Sequence, residues 1–94
     1  MFKNSDKLRK ILLILFPESI FYIFGSYARG TQTETSDIDL AIDAGQQLTS
    51  LELQQARNII EALNIPQKID LVDINRVPVE MKAIILKEGR IWSE

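Results

Sequence analysis

The chain has 94 residues, a net charge of −2, and neither cysteine nor histidine. These absences exclude disulfides, thiolate catalysis and cysteine or histidine zinc sites, so any metal would need oxygen ligands, which favours Mg²⁺, Mn²⁺ or Ca²⁺. The sequence has no run of basic residues of the kind that binds duplex nucleic acid. It also has no apolar stretch long enough to span a membrane, so we expect a cytoplasmic protein. Its length predicts one domain over residues 1–94.

The first elements follow clear apolar patterns. Leucine and isoleucine recur at helical spacing over residues 5–16, which predicts a helix with Ser5 as a candidate N-cap. The continuous apolar run Ile20–Phe24 predicts a strand buried near the middle of a sheet.

A turn and a loop follow this strand. Gly25 ends the strand, residues 26–29 fit one helical turn, and Gly30 is suited to close it in the left-handed conformation. The polar residues 31–36 predict a loop. Residues 37–43 then alternate, with isoleucine and leucine on one face and mainly aspartate on the other, which predicts a strand with an acidic open face.

The second half of the chain predicts four further elements. These are a helix from Thr49 or Ser50 to about residue 63, a strand over 68–73, a helix over 77–88, and a short strand or packed tail over 90–92. Leu51 and Ile84 are expected to face the core from their helices. Three to four strands mixed with about three helices predict an α/β or α+β domain.

Asp37 and Asp39 are the first candidate metal ligands. Residues two apart on a strand point the same way, with β-carbons about 6.5–7 Å apart. Two such carboxylates can share a pair of divalent cations, which lie about 3.5–4 Å apart in two-metal sites. By itself an Asp-x-Asp pair is more commonly solvated surface, although aspartate is depleted in strands.

Gly25 and Ser26 are candidates for phosphate binding. Glycine lets the backbone turn sharply and lets a ligand approach, and a helical turn that starts at Ser26 offers N–H groups to a phosphate. By itself this pair is more commonly a plain strand-to-helix turn.

The combination is more specific than either part. Gly25-Ser26, ten intervening residues and Asp37-Ile38-Asp39 resemble the signature of the nucleotidyltransferases of the DNA polymerase β-like superfamily. The string GSYARG…SDIDL and the chain length are similar to its small bacterial and archaeal branch, the minimal nucleotidyltransferases. The resemblance implies the nucleotidyltransferase fold, two Mg²⁺ ions and a nucleoside triphosphate held at Gly25 and Ser26.

The resemblance also implies a third carboxylate from a later strand, where KIDLVDI offers Asp70 and Asp73. If the apolar residues of this strand face the core, Asp70 faces the open side. Asp73 would share the core face and is expected beyond the strand end, because a buried charge is costly. Asp43 is expected at a strand end, past the metals. The predicted catalytic and metal-binding residues are therefore Asp37, Asp39 and Asp70.

Other side chains have two interpretations each. Arg29 could bind the triphosphate, where its planar fork suits phosphate oxygens, or pair with an aspartate of the acidic cluster. Tyr27 and Trp92 could stack on a base, but packing is the favoured role for both. Lys68 could touch phosphate, but a solvated lysine at the start of a strand is favoured.

The family resemblance further implies an antitoxin that transfers AMP from ATP to a tyrosine of a HEPN-type toxin. The small size of the chain fits an acceptor that a partner protein supplies. The alternative is a non-catalytic binding module that neutralises its partner by contact. A structural domain stabilised by Ca²⁺ or Mg²⁺ is disfavoured, because the sequence has no EF-hand spacing.

Overall fold

A four-stranded mixed sheet forms the centre of the computed structural model, which describes residues 2–92. The elements in chain order are α1 (Ser5–Leu15), β1 (Ile20–Phe24), α2 (Ser26–Arg29), β2 (Ile38–Asp43), α3 (Ser50–Ala62), β3 (Ile69–Asp73), α4 (Val79–Glu88) and β4 (Arg90–Ile91). The predicted α/β class is confirmed, and each predicted element is present.

The predicted N-cap residues can be compared with the structure for two helices. Asn4, in the left-handed conformation with φ 64°, is the N-cap of α1, so the prediction of Ser5 as the cap is wrong. Thr49 caps α3 as predicted. Its hydroxyl accepts the Glu52 N–H at 3.1 Å, and the Glu52 carboxylate accepts the Thr49 N–H at 2.9 Å, which together make a capping box.

The strand order is β3-β2-β1-β4, so β1 and β2 are the inner strands. β1 pairs antiparallel with β2 and with β4, whereas β2 and β3 run parallel. In this register Asp39 lies opposite Phe24 on one side and opposite Asp70 on the other. The pairing therefore places the predicted acidic residues of two strands side by side.

The two faces of the sheet are covered unequally. Residues of α1 and α3 join those of β1, β2 and β3 in the larger core, which contains Leu12, Phe21, Leu40 and Ala56 among others. On the opposite face, α4 contributes Ile85 to a smaller cluster. This second face carries Asp39 and Asp70, since they alternate with the residues of the larger core.

Two apolar residues lie outside the core that was predicted for them. Leu51 is 68% exposed and Ile84 is 53% exposed. The inward stripe of α3 includes Leu53, which is two positions and therefore about 200° around the helix from Leu51. On α4 the inward position belongs to Ile85, about 100° from its neighbour Ile84.

The aromatic residues that could have stacked on a base are packed inside the protein. Trp92 is 4% exposed, stacks on Phe2 at 6.2 Å between ring centroids and meets the edge of Phe21 at 6.5 Å. Tyr27 meets Phe2 edge-on at 6.3 Å. The favoured packing role is confirmed for both. None of the helices within residues 2–92 combines the length and apolar character needed to cross a membrane.

Asp73 corrects an expectation. It is the last residue of β3 and is 1% exposed, so it does not lie beyond the strand end as predicted. Its carboxylate accepts the Leu48 N–H at 2.7 Å and the Asn75 N–H at 2.9 Å. Because backbone donors replace water around the carboxylate, the buried position is tolerated. Asp73 thus joins the chain segment before α3 to the end of β3.

We expect Asp73→Ala to lower the free energy of unfolding by about 2 kcal/mol, because the substitution leaves the N–H groups of Leu48 and Asn75 without their acceptor. Urea denaturation followed by circular dichroism measures this change. Glu18→Ala, at an exposed acid, is the control. Equal losses in the two variants would contradict the structural role of Asp73.

Candidate active site

Asp39 is the centre of the candidate site. Its register partner in β3 is Asp70, and strands in a sheet are about 4.8 Å apart, so these two residues are nearer neighbours than Asp37 and Asp39. Asp37 precedes β2 and is exposed, whereas Asp39 is partly buried. The structure therefore brings Asp39 and Asp70 together as predicted, with Asp37 at the entrance to β2.

The electrostatic environment of Asp39 links all four predicted charged residues. Burial raises the pKa of the Asp39 carboxyl above its usual value near 3.8. The negative charges of Asp70 and Asp37 raise this pKa further, whereas the positive charge of Arg29 lowers it. Each of these residues is thus close enough to act on Asp39, and the uncompensated negative charge would be relieved by a cation.

Gly25 is required by the position of Asp39. It adopts φ 69° at the start of α2, and a β-carbon at this position would overlap the Asp39 carboxylate atom Oδ2. From the sequence, the glycine at position 25 was explained by a sharp turn of the backbone and the approach of a ligand. The structure adds a second reason, since the glycine backbone and the Asp39 carboxylate share the same space. Gly30 closes α2 in the left-handed conformation, as predicted.

Some backbone N–H groups of the short helix α2 are used within the helix, and others are left for a ligand. The N–H groups of Ala28 and Arg29 both donate to the Gly25 carbonyl at 3.1 Å. The N–H groups of Ser26 and Tyr27 precede them and are those that the first turn of a helix leaves without an intrahelical partner. The predicted phosphate-binding N–H groups are therefore the two at the start of α2.

Arg29 pairs with a residue that sequence reasoning missed. Its guanidinium lies 3.7 Å from the carboxylate of Glu88, the last residue of α4, and both side chains are about half exposed. An exposed pair of this kind contributes about 0–1 kcal/mol, so it is easily exchanged for another partner. No local pattern marks Glu88, because the contact joins two elements distant in sequence.

The remaining acid on β2 has a structural position. Asp43 is the last residue of the strand, as predicted, and accepts hydrogen bonds from the Gly45 N–H at 2.9 Å and the Asn75 side-chain amide at 3.1 Å. It therefore lies at the far end of β2 from Asp37. Lys68 is exposed just before β3, in keeping with the favoured solvated position.

The donor chemistry of the site fits a hard divalent cation, since every charged donor is a carboxylate oxygen. Over residues 2–92, however, no three acidic side chains are already gathered closely enough to hold a metal ion. Mutual repulsion among Asp37, Asp39 and Asp70 opposes such convergence. The oxygen donors suit a cation, whose binding would have to draw the carboxylates together.

Comparison with known proteins identifies the family to which this arrangement belongs. The family model described as polymerase beta nucleotidyltransferase matches residues 6–93. The chain belongs to this family. The superfamily resemblance inferred from the Gly-Ser and Asp-Ile-Asp spacing is confirmed.

A curated relative of this nucleotidyltransferase domain is the protein adenylyltransferase MntA of Shewanella oneidensis. MntA is 32% identical over 92 residues, which make up 95% of this chain and 65% of MntA. The chain thus spans just under two thirds of the length of this relative.

Two solved structures share the polymerase beta nucleotidyltransferase fold. A crystal structure of a toxin–antitoxin with AMP-PNP matches with a TM-score of 0.77 and 30% identity, over 97% of this chain and 74% of that chain. A structure of tri-AMPylated Shewanella oneidensis HEPN toxin in complex with MNT antitoxin matches with a TM-score of 0.70 and 26% identity, over 97% and 71%. The predicted nucleotidyltransferase fold is confirmed.

We expect Gly25→Ala to weaken the binding of Mg²⁺ and ATP, because its β-carbon would displace the Asp39 carboxylate. Gly30→Ala is the matched control: Gly30 also has a positive φ, of 74°, but no atom lies within 4 Å of the added β-carbon. Gly30→Ala carries the left-handed backbone cost of about 1–2 kcal/mol. Gly25 has ψ −147°, a conformation that glycine adopts far more readily than other residues, so the affinities are compared at a temperature at which both variants are folded. Isothermal titration that finds equal losses of affinity would contradict the role assigned to Gly25.

We also expect Asp39→Asn to stabilise the protein at pH 7 in EDTA. The folded-state pKa of Asp39 is raised, so its contribution to stability is present below about pH 3.8 and is lost as the pH rises through the folded-state pKa. Asparagine does not ionise, so the variant does not lose stability in this way as the pH rises. The stability advantage of the variant should therefore grow as the pH rises from below 3.8 to 7.

Thermal melting across this pH range measures the difference between the two proteins. Asp43→Asn, on the same strand but away from the acidic cluster, is the control. A variant that is less stable than wild type at pH 7 in EDTA would show that the charge of Asp39 is already compensated within the chain.

Proposed function

We propose that the chain is a Mg²⁺-dependent nucleotidyltransferase that transfers AMP from ATP to a tyrosine hydroxyl of a HEPN-type partner. In this proposal it acts in the cytoplasm as the antitoxin of a toxin–antitoxin pair. The observation that carries the proposal is the position of Asp39, in register with Asp70 and against the Gly25 backbone. This arrangement concentrates negative charge beside a helix start that can receive phosphate.

The proposed metal ligands are Asp37, Asp39 and Asp70. Bound Mg²⁺ would lower the pKa of the acceptor hydroxyl and neutralise charge on the phosphates. Asp39 and Asp70 are fixed by the register of two strands, whereas Asp37 lies outside the regular part of β2 and is exposed. The Asp37 side chain therefore has the freedom to close on a cation that the other two begin to bind.

The proposed phosphate-binding groups belong to α2 and the residue before it. The N–H groups of Ser26 and Tyr27 and the Ser26 hydroxyl would donate to phosphate oxygens, and Gly25 lets the Asp39 carboxylate lie directly beside them. Arg29 would add a cation. To do so it would exchange the Glu88 carboxylate, 3.7 Å away, for a phosphate oxygen.

The named relatives support AMP as the transferred group and a protein as the acceptor. One is named a protein adenylyltransferase, one solved structure contains AMP-PNP in a toxin–antitoxin, and another contains an AMPylated HEPN toxin with its MNT antitoxin. The absence of histidine from this chain agrees with hydroxyl activation by metal, because no imidazole base is available.

We expect the double substitution Asp37→Asn and Asp39→Asn to reduce AMP transfer at least about 1,000-fold, equivalent to about 4 kcal/mol of transition-state stabilisation. The assay is the mass increase of a HEPN-type partner protein after incubation with this chain, ATP and Mg²⁺. Glu18→Gln is a control at an exposed acid outside the site.

The same measurement separates the proposal from a module that acts by contact alone. Transfer that is abolished while the complex with the HEPN-type protein persists supports catalysis by the carboxylates. An unmodified partner in the presence of wild-type protein, with toxin activity still neutralised, would favour the contact module. Unchanged transfer by the double variant would refute the assigned carboxylates.

A further inference from the structure

A cavity of about 470 Å³ lies along the outer edge of β3, against the C-terminal half of α3. This volume is in the range of ligand-binding cavities, about 300–1,000 Å³. Its polar lining includes Arg57, Glu61, Asn64, Gln67, Lys68 and Asp70. Asp70 is part of its wall at the edge of the sheet, so the cavity on the α3 face is separated from the proposed catalytic face only by the edge strand β3.

The position of the cavity in the sheet assigns it to one side of the reaction. The proposed phosphate-binding residues follow β1, and β2 separates β1 from β3. The cavity therefore lies about two strand spacings, roughly 9–10 Å, from the phosphate side. In an in-line displacement the attacking oxygen enters opposite the leaving pyrophosphate. With pyrophosphate held beside Gly25, the acceptor must approach from the β3 side.

The backbone of β3 offers hydrogen-bonding groups to a chain on this side. The Lys68 carbonyl accepts the Ile38 N–H at 2.8 Å, so alternate residues of β3 point their backbone groups towards β2. Ile69 and Leu71 therefore point theirs outward. Arg57 donates to the outward Leu71 carbonyl at 3.0 Å. The edge of β3 is thus closed at Leu71 but accessible at Ile69, beside the cavity.

A buried acceptor in the cavity wall indicates what kind of ligand would fit. Within residues 2–92, the Gln67 side-chain oxygen Oε1 is buried and receives no hydrogen bond. A buried acceptor of this kind is satisfied by an N–H or O–H donor. The lining contains two basic residues, Arg57 and Lys68, and two acidic residues, Glu61 and Asp70. This balance of charge suits a polar polypeptide better than a polyanion such as a triphosphate.

We propose that this cavity binds the polypeptide segment that carries the acceptor hydroxyl. The segment lies extended along the open edge of β3, where its successive side chains point to opposite faces of the sheet. One side chain fills the cavity and a neighbouring one presents its hydroxyl to Asp70 on the other face, while a backbone N–H is donated to Gln67 Oε1 once that side chain turns into the cavity. This inference rests on the proposed function for the identity of the reaction. It adds a docking surface, formed by α3 and the edge of β3, that is separate from the nucleotide-binding residues.

The docking proposal can be tested with a substitution that narrows the cavity and leaves the proposed catalytic residues unchanged. Glu61 is exposed on α3 and lines the cavity, and Gln55 is exposed on the same helix about 120° around the axis from it. We expect Glu61→Trp to raise the KM for the HEPN-type partner protein about tenfold by obstruction. The kcat, the ATP affinity and the melting temperature should stay within error of those of the control Gln55→Trp.

A second measurement does not depend on catalysis. Benzoylphenylalanine placed at position 61 should cross-link, on irradiation, to the partner peptide that contains the acceptor tyrosine, and the same probe at position 55 should not. Mass spectrometry of the adduct identifies that peptide. If the probe at position 61 forms this cross-link but wild-type protein transfers no AMP, the proposed function fails and the docking surface stands.

Three results would overturn the docking proposal. The first is AMP transfer by Glu61→Trp with the same KM as Gln55→Trp. The second is a Glu61→Trp variant whose ATP affinity falls together with its partner affinity, which would assign the cavity to the nucleotide. The third is the lack of a specific cross-link from position 61 while AMP transfer by the wild-type protein continues.

Discussion

The parallel register that sets Asp39 beside Asp70 is the constraint on which the rest of the site depends. It places two carboxylates about one strand spacing apart, where neither backbone can move without breaking the sheet. Gly25 then becomes necessary, because the Asp39 carboxylate occupies the space of a β-carbon there. The larger core on the opposite face of the sheet stabilises this arrangement, so burial elsewhere compensates for repulsion in the site.

Local alternation explains why the main elements and the acidic site could be predicted. Residues 37–43 alternate so regularly that the face of Asp39 follows directly from strand geometry. The same parity separates Asp70 from Asp73. It correctly placed Asp73 on the core face. It could not reveal the Leu48 N–H that satisfies the buried carboxylate, because that donor comes from a distant segment.

The missed ion pair has the same origin, in a contact between distant elements. The ion pair between Arg29 and Glu88 joins α2 to the end of α4, and neither helix carries a local pattern that predicts it. Leu51 illustrates a different limit. An apolar residue at the start of a helix was assigned to the core by its chemistry, but the angle set by Leu53 places it in solvent.

Strand β3 combines two aspartates with opposite surroundings on a single alternating segment. Asp70 is exposed beside Asp39, in the proposed cation site, whereas Asp73 is enclosed and held by backbone donors. A gain or loss of one residue between Lys68 and Asp70 would turn every side chain to the other face and exchange these surroundings. The phase of β3 relative to β2 therefore matters to these two aspartates as much as their identity does.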